Sequence, residues 1–89
     1  MANTRSAEKR NRQAQRRRAR NQAVRTNVKG AVKKVREALA KGDQATAREA
    51  LHAAERALDR AATKGVVHRN AASRRISRLA HAVGKQARA

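Results

Sequence analysis

The stretch VRTNVKGAVKKVREALAKGD, Val24 to Asp43, sets its large aliphatic side chains at Val24, Val28, Val32, Val35 and Leu39. The steps between them are four, four, three and four, so all five fall on one face of an α-helix. The run stops at Gly42, and Asp43 behind it suits the N-cap of a second helix. Leu51, Ala54, Leu58 and Ala61 continue at helical spacing as far as Gly65, which suits a C-cap with Lys64 in the last turn. Val67 leads into a third run, Ala72, Ile76, Leu79 and Val83, ahead of Gly84 and a short polar tail. The spacing predicts three helices, over 5–41, 44–64 and 68–84, with tails at 1–4 and 85–89. Their short loops predict antiparallel neighbours. The expected fold is all-α, a single-domain three-helix antiparallel bundle. Composition agrees, since the chain has no proline and 22 alanines, and alanine and arginine both favour helix.

Working back from Val24, the pattern changes. The first helix is nearly twice as long as the others. At about 1.5 Å per residue, roughly 20 of its residues must protrude from the bundle. Residues 5–23 form this overhang and 24–41 lie in the bundle. Within the overhang, RNRQAQRRRARNQ (residues 10–22) has six arginines in thirteen positions, no acid, and nothing apolar beyond alanine. Arg12, Arg16 and Arg20 are spaced by four and stack as like charges, which costs about 0.2–0.5 kcal/mol per pair in an isolated helix. Arg16, Arg17 and Arg18 fan around most of the circumference. With no apolar anchor, the segment is expected to be largely unfolded in the free protein. It is expected to become helical where a polyanion supplies the counter-charge.

The whole composition points to such a partner. The 89 residues carry 24 Lys and Arg against 6 Asp and Glu, a formal charge of +18. Nucleic acid is the best match, because its phosphates form a dense line of charge and release counterions when neutralised. No run of 18 apolar residues is present to span a bilayer. The N-terminus lacks the apolar stretch of a signal peptide, so an intracellular protein is expected. There is no cysteine, hence no disulfide, thiol nucleophile or Cys-based zinc site. There is no aromatic residue either, which closes the usual route of stacking single-stranded bases. Recognition should run through phosphates, grooves and shape.

The charge is unevenly spread. From Lys9 to Arg36 there are twelve basic residues and no acid, and from Thr63 onward there are seven and none. Five of the six acids lie between Glu37 and Asp59. The middle helix is nearly balanced, with Glu49, Glu55 and Asp59 against Arg48, Arg56 and Arg60. Helices one and three are therefore expected to form the anion-facing side, with helix two toward solvent. Arginine outnumbers lysine, 17 to 7, and its planar fork can hold phosphate oxygens bidentately.

Several ordered motifs carry a family resemblance. Met1-Ala2-Asn3, Ser6-Ala7, Lys9-Arg10, Arg12-Gln13, Arg17-Arg18, Arg20-Asn21 and Val32-Lys33-Lys34-Val35 precede the most characteristic segment. That segment is GDQATAREALHAAERALDRAATKGVVHRN, Gly42 to Asn70. In this order and spacing they resemble the bacterial small-subunit ribosomal protein S20 family. The resemblance implies a three-helix bundle with a protruding first helix, direct binding to 16S ribosomal RNA early in small-subunit assembly, and contact with the 5′ domain and the long penultimate helix of that RNA. It implies a monomer within the ribosome and a cytoplasmic location. Three positions depart from the family's usual pattern. Arg69 replaces a lysine and keeps the charge, Ser73 replaces an alanine, and Ile76 replaces a lysine and loses it. On the periodicity Ile76 belongs to the core. Gly30 stands where a better helix former is common, which weakens the helix by about 1 kcal/mol.

The expected RNA-binding residues follow. On the overhang they are Arg5, Lys9, Arg10, Arg12, Arg16, Arg17, Arg18, Arg20 and Asn21. Along the rest of helix one they are Arg25, Lys29 and Lys33. Lys64 joins from the second turn. His68, Arg69 and Asn70 open helix three, where a helix N-terminus favours anions, although Asn70 is also a candidate for plain capping. Arg74, Arg75 and Arg78 continue down that helix. Glu49 and His52 have Glu-x-x-His spacing, but di-iron bundles need two such copies and further carboxylates. His81 reads as a surface residue. No metal site, cofactor site, small-molecule substrate or catalytic constellation is expected, and neither is an enzyme. The main alternative is a nucleoid-associated DNA-binding protein, against which stands the lack of lysine- and proline-rich repeats and of a short recognition helix. A membrane-surface helix is less well supported, because the first half of helix one has no apolar face.

Overall fold

In a computed structural model, which describes residues 2–88, the chain folds as three helices. These are α1 (Ala2–Lys41), α2 (Gln44–Thr63) and α3 (Arg69–Arg88), with no strand among the described residues. Met1 and Ala89, parts of the expected tails, lie outside the described residues. The molecule measures 67 × 22 × 13 Å, and its long dimension is that of α1.

Both breaks use the same device. Gly42 adopts φ +73° and Gly65 φ +76°, a left-handed conformation that costs glycine little. At the first break the Gly42 N–H donates to Leu39 O at 3.2 Å and the Asp43 N–H to Ala38 O at 3.1 Å. At the second, the Gly65 N–H donates to Ala62 O at 3.1 Å and the Val66 N–H to Ala61 O at 2.9 Å. Each pair is a Schellman motif that satisfies the last carbonyls of its helix. Asp43 then caps α2. Its Oδ1 accepts the Thr46 N–H at 3.2 Å and its Oδ2 accepts the Thr46 hydroxyl at 2.6 Å. These bonds, the hydroxyl first, hold the Asp43 carboxyl below its ordinary 3.8. A carboxylate whose pKa is lower folded than unfolded stabilises the protein above its unfolded pKa, and that contribution is lost as pH falls through the folded value. Asp43→Ala is therefore expected to lower the melting temperature at neutral pH. The gap to the native chain should close as pH drops below about 3.8. Thermal melts of both proteins across that range check it.

The core is shallow and built largely of alanine. Val28, Val35, Leu58 and Val83 are buried, together with Ala38, Ala47, Ala50, Ala54, Ala57, Ala61 and Ala72. Near the Gly42 turn, Val35 and Ala38 of α1 pack with Ala47, Ala50 and Ala54 of α2 and Val83 of α3. At the other end, Val28 packs with Ala57, Leu58, Ala61 and Ala72. The pairing of late α1 with early α2, and of late α2 with early α3, makes each sequential pair antiparallel. Ile76 is half-buried against the second cluster, a core position in agreement with its periodicity.

α2 is the central helix. It packs along both others, while α1 and α3 barely meet. This corrects the expectation that helix two turns toward solvent: only its outer face does.

Two helix ends differ from the sequence reading by more than one residue. α1 begins at Ala2 rather than residue 5, and α3 runs to Arg88 rather than ending at Gly84. The residues expected as tails at 2–4 and 85–88 are helical. At the C-terminal end the reason is a side-chain tie. Gln86 Nε2 donates to Leu39 O at 2.8 Å, and Gln44 Nε2 reaches Val83 O at 3.4 Å. The extra turn of α3 thereby supplies a donor to a carbonyl at the end of α1. Gly84 is simply a helical residue on the way.

Candidate nucleic-acid interface

The overhang is a bare helix. Every residue from Thr4 to Arg20 is exposed, so Arg5, Lys9, Arg10, Arg12, Arg16, Arg17, Arg18 and Arg20 all point into solvent. At 100° per residue Arg5, Lys9, Arg12, Arg16 and Arg20 share one side of α1, Arg10, Arg17 and Arg18 lie on others, and Glu8, Asn11 and Gln15 occupy the remaining sector. Asn21 is half-buried. It lies with Arg17, Arg18, Gln22 and Arg25 around a shallow hollow, and its Oδ1 has no hydrogen-bond partner.

Where α1 enters the bundle, the basic residues become one-sided. Arg25, Lys29, Lys33 and Arg36 follow steps of four, four and three, and so share a face. That face meets α3 across a groove because the two helices do not close on each other. The groove, of about 310 Å³, has Val28, Val32 and Leu79 for its apolar surface and Lys29, Lys33, Arg36, Arg75 and Arg78 around it. It continues toward the α2–α3 link, past Arg25, Val66, Val67 and Arg75. No acidic residue lines either part. Among the described residues Lys33 is the one member with an internal partner, Glu37 at 4.0 Å, an exposed i,i+4 pair worth about 0.3–0.5 kcal/mol.

The structure thus brings Arg25, Lys29, Lys33, Arg75 and Arg78 together. Arg36 belongs with them and was not singled out from the sequence, though its register with Lys29 and Lys33 is the signal that finds it. Arg74 is exposed but lines neither part of the groove. Lys64, His68, Arg69 and Asn70 are exposed around the α2–α3 link, beyond the Arg25 end of the groove. Capping there falls to His68 rather than Asn70. His68 Nδ1 accepts the Asn70 N–H at 3.1 Å, and its carbonyl accepts the Ala72 N–H at 3.0 Å. An imidazole that accepts at Nδ1 carries its proton on Nε2, which is left to donate outward.

Other chemistry is sparse. His52 Nδ1 lies 3.7 Å from Glu55 Oε2, on the exposed side of α2. Among the described residues no group of three or more His, Cys, Asp or Glu could hold a metal. No helix among the described residues is long and apolar enough to cross a membrane.

A small helical bundle that extends one unshielded basic helix, and frames a cationic groove beside it, defines a structural polyanion-binding protein. The comparisons narrow the class. The family model described as Ribosomal protein S20 matches residues 2–84. The small ribosomal subunit protein bS20 of Anaeromyxobacter dehalogenans is 70% identical over 89 residues, covering 100% of this chain and 97% of the relative. The protein of the same name from Agrobacterium fabrum is 55% identical over 83 residues, 93% and 94% of the two chains. That of Nitratidesulfovibrio vulgaris is 54% identical over 84 residues, 94% and 97%. The chain belongs to the ribosomal protein S20 family, which is structural and not enzymatic.

Proposed function

We propose that the chain is a structural constituent of the small ribosomal subunit that binds 16S ribosomal RNA directly and helps the subunit assemble. It does so as a single copy in the cytoplasm, within ribosomes. The observation that carries this reading, beside family membership, is the basic surface that runs from Lys9 on the α1 overhang into the α1–α3 groove, with no acid between Lys9 and Arg36 and none lining the groove. Like charges set along one rod and one groove destabilise the free chain, and a phosphate backbone relieves that repulsion. On the overhang, Arg5 to Arg20 grip phosphates on several sides of the helix. In the groove, Arg25, Lys29, Lys33, Arg75 and Arg78 hold a strand against a narrow apolar floor. Lys64, His68 Nε2, Arg69 and Asn70 offer donors to phosphates or 2′-hydroxyls at the link, and Arg74 and Asn21 serve at the margins. Ile76 is half-buried against the core and makes no such contact.

Without aromatic residues to stack on bases, discrimination comes from the shape of folded RNA. At about 150 mM salt, where non-specific electrostatic binding is weak, the protein should prefer a folded 16S transcript to duplex DNA of equal length. It should also co-sediment with small subunits in a sucrose gradient. Equal affinity for the two nucleic acids would favour a nucleoid role instead.

A further inference from the structure

The composition of α2 is balanced, but its arginines are not paired with its acids. The ion pairs among the described residues are Lys33–Glu37 and His52–Glu55, so Arg56 and Arg60 pair with none of the acids around them. They lie one turn apart on one face of α2 and are exposed. Together with Lys34 of α1, also exposed and unpaired, they line a second groove. It runs between α1 and α2, apart from the groove shared by α1 and α3, and Asn27, Gly30 and Ala53 lie among its lining.

We propose that this α1–α2 groove is a second RNA-binding surface of the protein. The proposal rests on the ribosomal RNA reading above and adds a contact face to it. Charge complementarity carries it: three unpaired cations on two helices converge on one concavity, and its lining includes no acid. Shape is compatible, because a Cβ placed on Gly30 would meet nothing within 4 Å, so the floor is open to a backbone. The footprint also has an end. Toward the Gly42 turn the α1–α2 surface gains three acids, Glu37, Asp43 and Glu49, against one further cation, Lys41, an acidic excess that favours the Asn27–Arg60 end for phosphate. A balanced helix facing only solvent would have no need to leave Arg56 and Arg60 unpaired on the same side.

The test is the salt dependence of full-length protein binding to a 16S transcript, for the native chain, for Arg56→Gln/Arg60→Gln, and for Arg48→Gln as a control on α2 outside the groove. All three substituted positions are exposed, and circular dichroism melts confirm folding. If each arginine neutralises one phosphate, the double variant should lose about 1.4–1.8 from the magnitude of the log–log slope. Its affinity at about 150 mM salt should fall roughly tenfold or more. Arg48→Gln should match the native chain. A native protein that binds steeply, with a double variant of the same slope and affinity, overturns the groove proposal alone and leaves the groove to an acidic protein. A native protein that does not bind the transcript removes the ribosomal RNA reading, and the groove proposal with it.

Discussion

Deleting residues 2–23 is expected to leave the melting temperature of the bundle nearly unchanged while lowering affinity for 16S RNA by orders of magnitude. The first half follows from where the core lies. The first large aliphatic side chain after Met1 is Val24, and among residues 4–23 only Asn21 is even half-buried, so the deletion removes no part of the core. The second half follows from the six arginines of residues 10–22, together with Arg5 and Lys9, which leave with it. The structure shows this segment as continuous helix, the form in which it would lie against RNA. Free in solution, only helix propensity supports it against stacked like charges, and an isolated segment of this length is marginal in water. Amide exchange across Arg12 to Arg20 should therefore be fast without RNA and slow with it. Strong protection in the free protein would show a preformed helix and end the idea of folding on binding.

Binding should also weaken steeply with salt. If roughly eight phosphates are neutralised, log K should fall against log salt with a slope of about −6 to −7, between the single-strand and duplex coefficients. Between 50 and 200 mM salt that is a loss of about 10³–10⁵ in affinity. A slope shallower than about −3 would mean that most of these charges stay in solvent. The measurement needs no variant, and it reads the overhang and the grooves together.

The bundle was legible in the sequence because its signals are local. Val24 to Leu39 declare a helical face, and Gly42 and Gly65 mark turns that only a left-handed residue closes cheaply. What the sequence concealed depended on which helices touch. Gly84 reads as a stop until Gln86 is seen bonded to the Leu39 carbonyl, 47 positions away. Asn70 reads as the capping residue, and only the 3.1 Å bond from its own N–H to His68 Nδ1 gives that role to His68. The basic character of α1 was plain, but its groove with α3 exists because those helices fail to close, which no periodicity reports. Arg56 and Arg60 were hidden for another reason. A count of charges near zero says nothing of whether neighbours of opposite sign meet.

The central position of α2 has a kinetic consequence. Because each helix packs mainly on its neighbour in the chain, native contacts are close in sequence, and α1 and α3 need hardly find each other. Domains of low contact order fold within microseconds to milliseconds. The chain also has no proline and no cysteine, so the slow isomerisation and disulfide steps that delay other proteins have no substrate here. A bundle held by so thin a core therefore reforms quickly whenever it opens. The rate at which it joins its RNA should be set by encounter and by RNA folding, with the protein's own folding never the slow step.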